Sequence, residues 1–161
     1  MNKPLIMVVE DEVKQAEMIA KLIAATGRYQ AIKASNGLEA VELLKKNKPL
    51  LGPNKVSLIL LDIKMPEMSG LQFLEIMRKK YSDDQIGVIM LTAYEDAEKW
   101  DKATDGFVCG YIKKPIIEEE LIGAIDRFFS GPKARIKMTL DTFEKHIDKM
   151  DELNKGSGGK T

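Results

Sequence analysis

VSLILLDIKMPEMSG, residues 56–70, decides the fold. Ser57 aside, Val56 to Leu61 is an apolar run of strand length with no helical period. A run of this kind, bounded by turn residues, reads as a strand buried on both faces of a parallel sheet. It ends in a carboxylate, Asp62. Pro66, Ser69 and Gly70 then mark a loop rather than a continuing strand. One acid therefore closes a central buried strand, and in open α/β sheets ligands bind at the carboxyl ends of the strands. The structural alternative is that Asp62 merely caps the next helix.

A second run, Leu5 to Val9 (LIMVV), also ends in acid: Glu10, Asp11 and Glu12. Two parallel strands finishing side by side bring Glu10 and Asp11 to Asp62. Gathered carboxylates repel, and a shared cation relieves them. Oxygen-only ligands favour Mg²⁺ or Ca²⁺ over zinc. A few carboxylates with open positions suit Mg²⁺, which keeps its waters and bridges to phosphate. The alternative here is that Glu10 to Glu12 form only the acidic first turn of a helix, favoured by its dipole.

Outward from these two runs the chain alternates. A helix is predicted over Glu12–Ala25, with Val13, Ala16, Ile19, Ala20 and Ile23 at helical spacing and Gly27 as its stop. Tyr29–Ala34 is a short strand. A helix over Leu38–Lys46 places Leu38, Val41 and Leu44 on one face, and Asn47–Lys55 is a loop. Leu71–Tyr81 is the next helix, carrying Leu71, Leu74, Ile76 and Met77. Ile86–Leu91 is a buried strand ending at Thr92. A weakly patterned helix follows over Asp96–Thr104, then a short strand at Tyr111–Ile112 and a helix over Glu118–Phe129. Five strands alternating with five helices argue an α/β fold built on a doubly wound, five-stranded parallel sheet.

The chain has 161 residues, enough for one sizeable core plus an appendage. Its 25 basic and 25 acidic side chains give no general attraction to nucleic acid or to an anionic membrane. A single cysteine, Cys109, fits a reducing compartment and reads as a small packing residue. No apolar run approaches membrane-spanning length, and the N-terminus lacks a signal peptide's apolar region. The expected location is the cytoplasm.

The remaining chemistry also falls at strand ends. Thr92 follows the fourth strand; Lys113 and Lys114 follow the fifth, just before Pro115. A hydroxyl and an ammonium beside a carboxylate cluster are what a tetrahedral oxyanion needs. Each member has a plain structural alternative: Thr92 as a β-favouring residue, the lysines as solvated surface.

In this order, Glu10-Asp11, Asp62 with IKMPEMSG, Thr92-Ala93 and Lys114-Pro115 resemble the receiver domain of two-component response regulators. The resemblance covers about Lys3 to Ser130 and implies a flavodoxin-like (βα)5 fold, similar to a stand-alone chemotaxis regulator with a C-terminal helical extension. It makes Asp62 the phosphoacceptor. It makes Glu10, Asp11, Asp62 and the backbone carbonyl of Lys64 the ligands of Mg²⁺. Thr92 and Lys114 match the groups that contact the phosphoryl oxygens, and Tyr111 matches the aromatic switch position. Lys64 and Tyr94 stand at positions that tune hydrolysis. Glu10 departs from the common aspartate.

The implied function is a phosphorylation-activated receiver in a phosphorelay. It takes a phosphoryl group from a histidine kinase or phosphotransfer protein and signals by contact with a downstream protein. It is not an enzyme in the ordinary sense, although Mg²⁺-dependent self-phosphorylation from small donors and autodephosphorylation are expected. The alternative is the receiver portion of a longer regulator with a DNA-binding or enzymatic output domain. A phosphatase sharing the fold fits poorly, because Lys64 stands where such enzymes carry a second acid.

Past Ser130-Gly131-Pro132 the pattern changes. Ile136, Leu140, Phe143, Ile147 and Met150 are spaced four, three, four, three, as in one amphipathic helix over about Ala134–Leu153. The division expected is a receiver over 1–130, a helical extension over 131–155 and a flexible tail over 156–161. The extension is short for a DNA-binding output, and its mixed charge argues against a nucleic-acid patch. His146 reads as a solvated helix position rather than a phosphoryl acceptor. The narrow stripe favours a homodimer through this helix over docking on its own domain.

Overall fold

Each apolar run becomes a strand because neither of its faces meets water. The computed structural model describes residues 2–93 and 107–157. Within them the order is β1 (Leu5–Val9), α1 (Val13–Ala25), β2 (Gln30–Ala34), α2 (Gly37–Lys46), β3 (Val56–Asp62), α3 (Gly70–Arg78), β4 (Gly87–Thr92), β5 (Gly110–Lys113), α4 (Glu118–Phe128) and α5 (Pro132–Ser157). All neighbouring strands pair in parallel, in the order β2-β1-β3-β4-β5. β3 is the middle strand, and Leu58 to Asp62 are all buried. The helix expected over Asp96–Thr104, with Tyr94 before it, lies outside the described residues.

The period of two along each strand divides the core. Met7, Val9, Ile59, Leu61, Val88 and Met90 face α2 and α3, joined by Phe73, Leu74 and Met77. Ile6, Val8, Leu58, Leu60, Ile89 and Leu91 face α1 and α4, joined by Ile19, Ile23, Leu121, Ile125 and Phe128. Helices on both faces of a parallel sheet give the doubly wound α/β architecture that the alternation predicts.

Some helices end where the sequence signals place them and others are shifted. Gly27 does end α1, at φ 69°. Val13, Leu38 and Ile76, expected on buried faces, are exposed. In α3 the sequence reading passed over Phe73, which is fully buried. The helix is set by Ser69, whose hydroxyl accepts from the Gln72 amide while the Gln72 side chain accepts from Ser69 N–H. This capping box starts the helix at Gly70 and turns Phe73, Leu74 and Met77 inward. Ser69, not Asp62, is therefore the cap of α3.

The C-terminal helix runs from Pro132 to Ser157, beyond the predicted 134–153 at both ends. Proline suits a first helical position, where its missing N–H costs nothing. Among its described residues the buried ones are Met138 and Thr142, not the predicted stripe. Ile136, Leu140 and Ile147 are exposed.

Candidate functional site

Register alone brings the acids together. Val9 pairs with Leu61, so Glu10 and Asp62, the next residues, leave the sheet side by side. Asp62 pairs with Leu91 and Thr92 with Lys113, which sets Thr92 and Lys114 on the other side of Asp62. The Glu10 amide still donates to Ala34 O at 3.0 Å, and the Lys114 amide to Thr92 O at 2.7 Å. The ends of five strands thus fix the backbone of the site.

A carboxylate oxygen from each of Glu10, Asp11 and Asp62 lies within 4.8 Å of the others. Glu10 and Asp62 are only 2% and 5% exposed, while Asp11 faces solvent. The reading of Glu10–Glu12 as merely an acidic first turn fails, because α1 starts at Val13 with no acid in its first turn. Lys114 Nζ donates to Glu10 Oε2 at 2.9 Å and stands 3.3 Å from Asp62 Oδ1. That contact to Glu10 has no signal in the sequence beyond the need of buried acids for a cation.

Burial, then the charge of Glu10, pushes the Asp62 carboxyl up to about 6, with Lys114 pulling the other way. Burial lowers Lys114, but its hydrogen bond to Glu10 and the charge of Asp62 outweigh that and hold it above its ordinary value. Three acids around one lysine keep an excess of negative charge that suits a hard divalent cation.

The other predicted residues surround this centre. Thr92 closes β4, buried at its mouth. Lys64 and Asp11 line one cavity with Ile63, Met65, Pro66 and Ser69. Tyr111 lies half-buried on β5, packed on the α2–α3 side of the core. Gly70 was read only as a loop marker, yet a Cβ there would overlap the Asp62 carbonyl oxygen. Glycine lets the start of α3 close directly over the backbone that carries Asp62.

A family model of the response regulator receiver domain matches residues 6–126. Among curated proteins, the polar-differentiation response regulator DivK of Brucella anthropi is 32% identical over 123 residues, covering 76% of this chain and 94% of that protein. Hybrid signal transduction histidine kinase D of Dictyostelium discoideum is 29% identical over 153 residues, 95% of this chain but 9% of that protein. The chain therefore spans under a tenth of that kinase and nearly the whole of DivK. Among solved structures, the chemotaxis protein CheY4 of Vibrio cholerae superposes with a TM-score of 0.68 at 23% identity, over 78% of this chain and 98% of that one.

Proposed function

The chain belongs to the response regulator receiver family, and on that premise we propose that Asp62 is its phosphoacceptor. Receivers of this family exchange phosphoryl groups with histidine kinases or phosphotransfer proteins. The observation that carries the assignment is the meeting of Glu10, Asp11 and Asp62 around Lys114 at the strand ends.

An Asp62 carboxylate oxygen attacks phosphorus in line with the bond to the donor nitrogen. That bond breaks, its electron pair stays on the imidazole, and the imidazole takes a proton. Asp62 becomes an acyl phosphate. Lys114 is placed to stabilise the added charge. Glu10, Asp11, Asp62 and the Lys64 carbonyl would hold Mg²⁺, which would neutralise phosphoryl oxygens. The dianionic group then draws in the Thr92 hydroxyl, Tyr111 turns inward, and the surface around β5 changes for a downstream protein. Water later removes the phosphoryl group, at a rate that Lys64 and Tyr94 tune. Small donors such as acetyl phosphate serve in place of a kinase.

The same reading divides the chain into a receiver over 1–130, a helical extension over 131–155 and a tail over 156–161. Its charge balance supports protein partners rather than nucleic acid or membrane. No helix among the described residues is long and apolar enough to cross a membrane. With a single free cysteine, that supports action in the cytoplasm. The exposed Ile136, Leu140 and Ile147 support pairing with a second copy. The likeness to a small part of a hybrid kinase favours one further reading, that a longer regulator contains this receiver.

Intact mass after incubation with acetyl phosphate and Mg²⁺ tests the assignment. One phosphoryl group should add to the parent chain and none to Asp62→Asn. Undiminished labelling of Asp62→Asn, or labelling indifferent to a chelator, overturns it.

A further inference from the structure

The even charge balance of the whole chain hides one uneven end. Residues 45–55, KKNKPLLGPNK, carry Lys45, Lys46, Lys48 and Lys55 and no acid. They join α2 to β3 at the amino end of the sheet, opposite the end that carries Asp62. At their tip Leu50 and Leu51 are 98% and 85% exposed, and among the described residues no other large apolar side chain is as exposed. The two leucines belong to neither face of the core.

The loop that holds them out is a built one. The Lys55 amide donates to Asn47 O at 2.9 Å and closes its neck, as in an Ω-loop. Asn54 Nδ2 donates to Leu44 O at 2.8 Å and to the Tyr81 hydroxyl at 3.3 Å, tying the neck to α2 and to the chain just past α3. Inside the loop Lys48 Nζ donates to Gly52 O at 2.5 Å. Pro49 and Pro53 flank the tip, and each fixes its own φ. A loop so constrained has little freedom left to lose on binding. Glu42 engages Lys45 at 3.1 Å, leaving Lys46, Lys48 and Lys55 exposed around the tip. Lys80, 5.9 Å from the Tyr81 ring centroid, extends the basic face, while Asp83 and Asp84 border a cavity beside Phe128 and Pro132.

Hot spots of protein interfaces are rich in Trp, Tyr and Arg and poor in Leu, and lysine is depleted from such interfaces. The tip also offers no aromatic ring for a nucleic-acid base to stack on. Leucine held among lysines is the composition of a segment lying in a lipid interface. We propose that the 47–55 loop seats the chain reversibly on an anionic lipid surface, with Leu50 and Leu51 at the acyl boundary and the lysines at the headgroups. Two leucines alone are too few to hold the protein there, so binding needs the lysines as well. β3 sets seven residues, about 20 Å, between the loop and the acid cluster. A chain seated by this tip therefore keeps Glu10, Asp11 and Asp62 at its far end, in water. The inference goes beyond the receiver reading and stands apart from it.

Sedimentation of the full chain with sucrose-loaded vesicles tests this. Vesicles of phosphatidylserine and phosphatidylcholine in equal parts should bind the parent about tenfold more tightly than phosphatidylcholine alone. Raising the salt from about 0.1 M to about 1 M should remove that difference. Leu50→Ser/Leu51→Ser should weaken binding to the mixed vesicles about tenfold and, because both side chains are exposed, keep the parent's urea midpoint. Hydrogen exchange on the parent needs no variant: the mixed vesicles should slow exchange over residues 47–55. Slowing confined to other segments, equal binding to the two kinds of vesicle, or a folded double variant that binds like the parent overturns the proposal. A parent chain that stays in the supernatant overturns it too, and assigns the tip to an acidic cleft on a protein.

Discussion

The ammonium of Lys114 lies nearer to Glu10 Oε2, at 2.9 Å, than to Asp62 Oδ1, at 3.3 Å. Glu10 therefore takes the stronger, charge-assisted bond, and Asp62 keeps lone pairs for an incoming phosphorus. A cation held by Glu10, Asp11 and Asp62 must share Glu10 with the lysine. Lys114→Ala removes the competitor, so Mg²⁺ should bind about tenfold more tightly, a difference of about 1.4 kcal/mol. Labelling by acetyl phosphate should slow about 10²-fold, because the charge that stabilises the transferring group is gone. Titration calorimetry and labelling rates report the two effects. Weaker Mg²⁺ binding by the variant would show that the lysine assists the metal instead of competing with it.

The Asp62 carboxyl, pushed up to about 6 by burial and then by Glu10, makes stability depend on pH. An aspartate in the unfolded chain titrates near ~3.9. The folded state thus holds this proton more tightly, and stability falls as pH rises from about 4 through about 6, then levels off. The full difference corresponds to about 3 kcal/mol. Without metal, Asp62→Asn should therefore be more stable than the parent by about 1–3 kcal/mol near pH 7.5. The gap should close below about pH 4 and shrink when Mg²⁺ is added. Thermal melts across pH in a chelator measure it. Parallel curves for the two proteins would show that folding does not penalise the charged carboxylate.

Gly70→Ala places a methyl group against the Asp62 carbonyl oxygen, which is backbone and cannot rotate away. The start of α3 must shift, at a cost of about 1–3 kcal/mol. Because the displaced backbone carries the phosphoacceptor, labelling should slow in the same variant. Urea midpoints and labelling rates check both. A variant with parental stability would mean that α3 slides without strain.

Thr92→Ala separates accepting the phosphoryl group from transmitting it. The hydroxyl is absent from the attack itself, so labelling should persist. Tyr111 should then lose its response, because nothing follows the phosphoryl group inward. Amide chemical shifts with and without beryllofluoride test this. If Tyr111 still shifts as in the parent, Thr92 is not the link.

The site was legible because it depends on quantities that sequence carries directly. β1 and β3 are near-unbroken apolar runs, and the first charged residue marks the end of each. Parallel register then places Glu10 beside Asp62 with no further information. The contact between Lys114 and Glu10 was not legible, since it depends on where a flexible side chain finds its charge. The seat of the C-terminal helix was read wrongly for a different reason. Periodicity shows a stripe at Ile136, Leu140, Phe143 and Ile147, and it says nothing of the socket a neighbour offers. Beside β5 the socket takes one flexible methionine and a threonine whose hydroxyl is satisfied within the helix. The burial of Phe73 follows from the Ser69–Gln72 capping box, which starts α3 at Gly70, one residue before the predicted Leu71.

The same rotation of the helix bears on the oligomeric state. Met138 and Leu140 are two residues apart, so they lie about 200° apart around the axis. Docking through Met138 and Thr142 therefore leaves Ile136, Leu140 and Ile147 outward, with Phe143 shared between the two faces through Phe107. This apolar row on an exposed helix face is the proposed contact surface. Its four-three spacing matches the seam of a partner helix, and a twin supplies that seam without further assumptions. Two to three heptads make a modest interface, so the dimer should form in the micromolar range, with free energy near about −8 kcal/mol. Light scattering on the full chain should show the mass rising towards a dimer with concentration. Leu140→Lys should raise the dissociation constant more than about tenfold, because it places like charges across a short apolar seam. Since Leu140 is exposed, the variant should keep the parent's labelling at Asp62 and, at concentrations low enough for both chains to be monomeric, its melting temperature. A parent chain that stays monomeric at high micromolar concentration would leave the outward row without its twin and the helix with only the docking role.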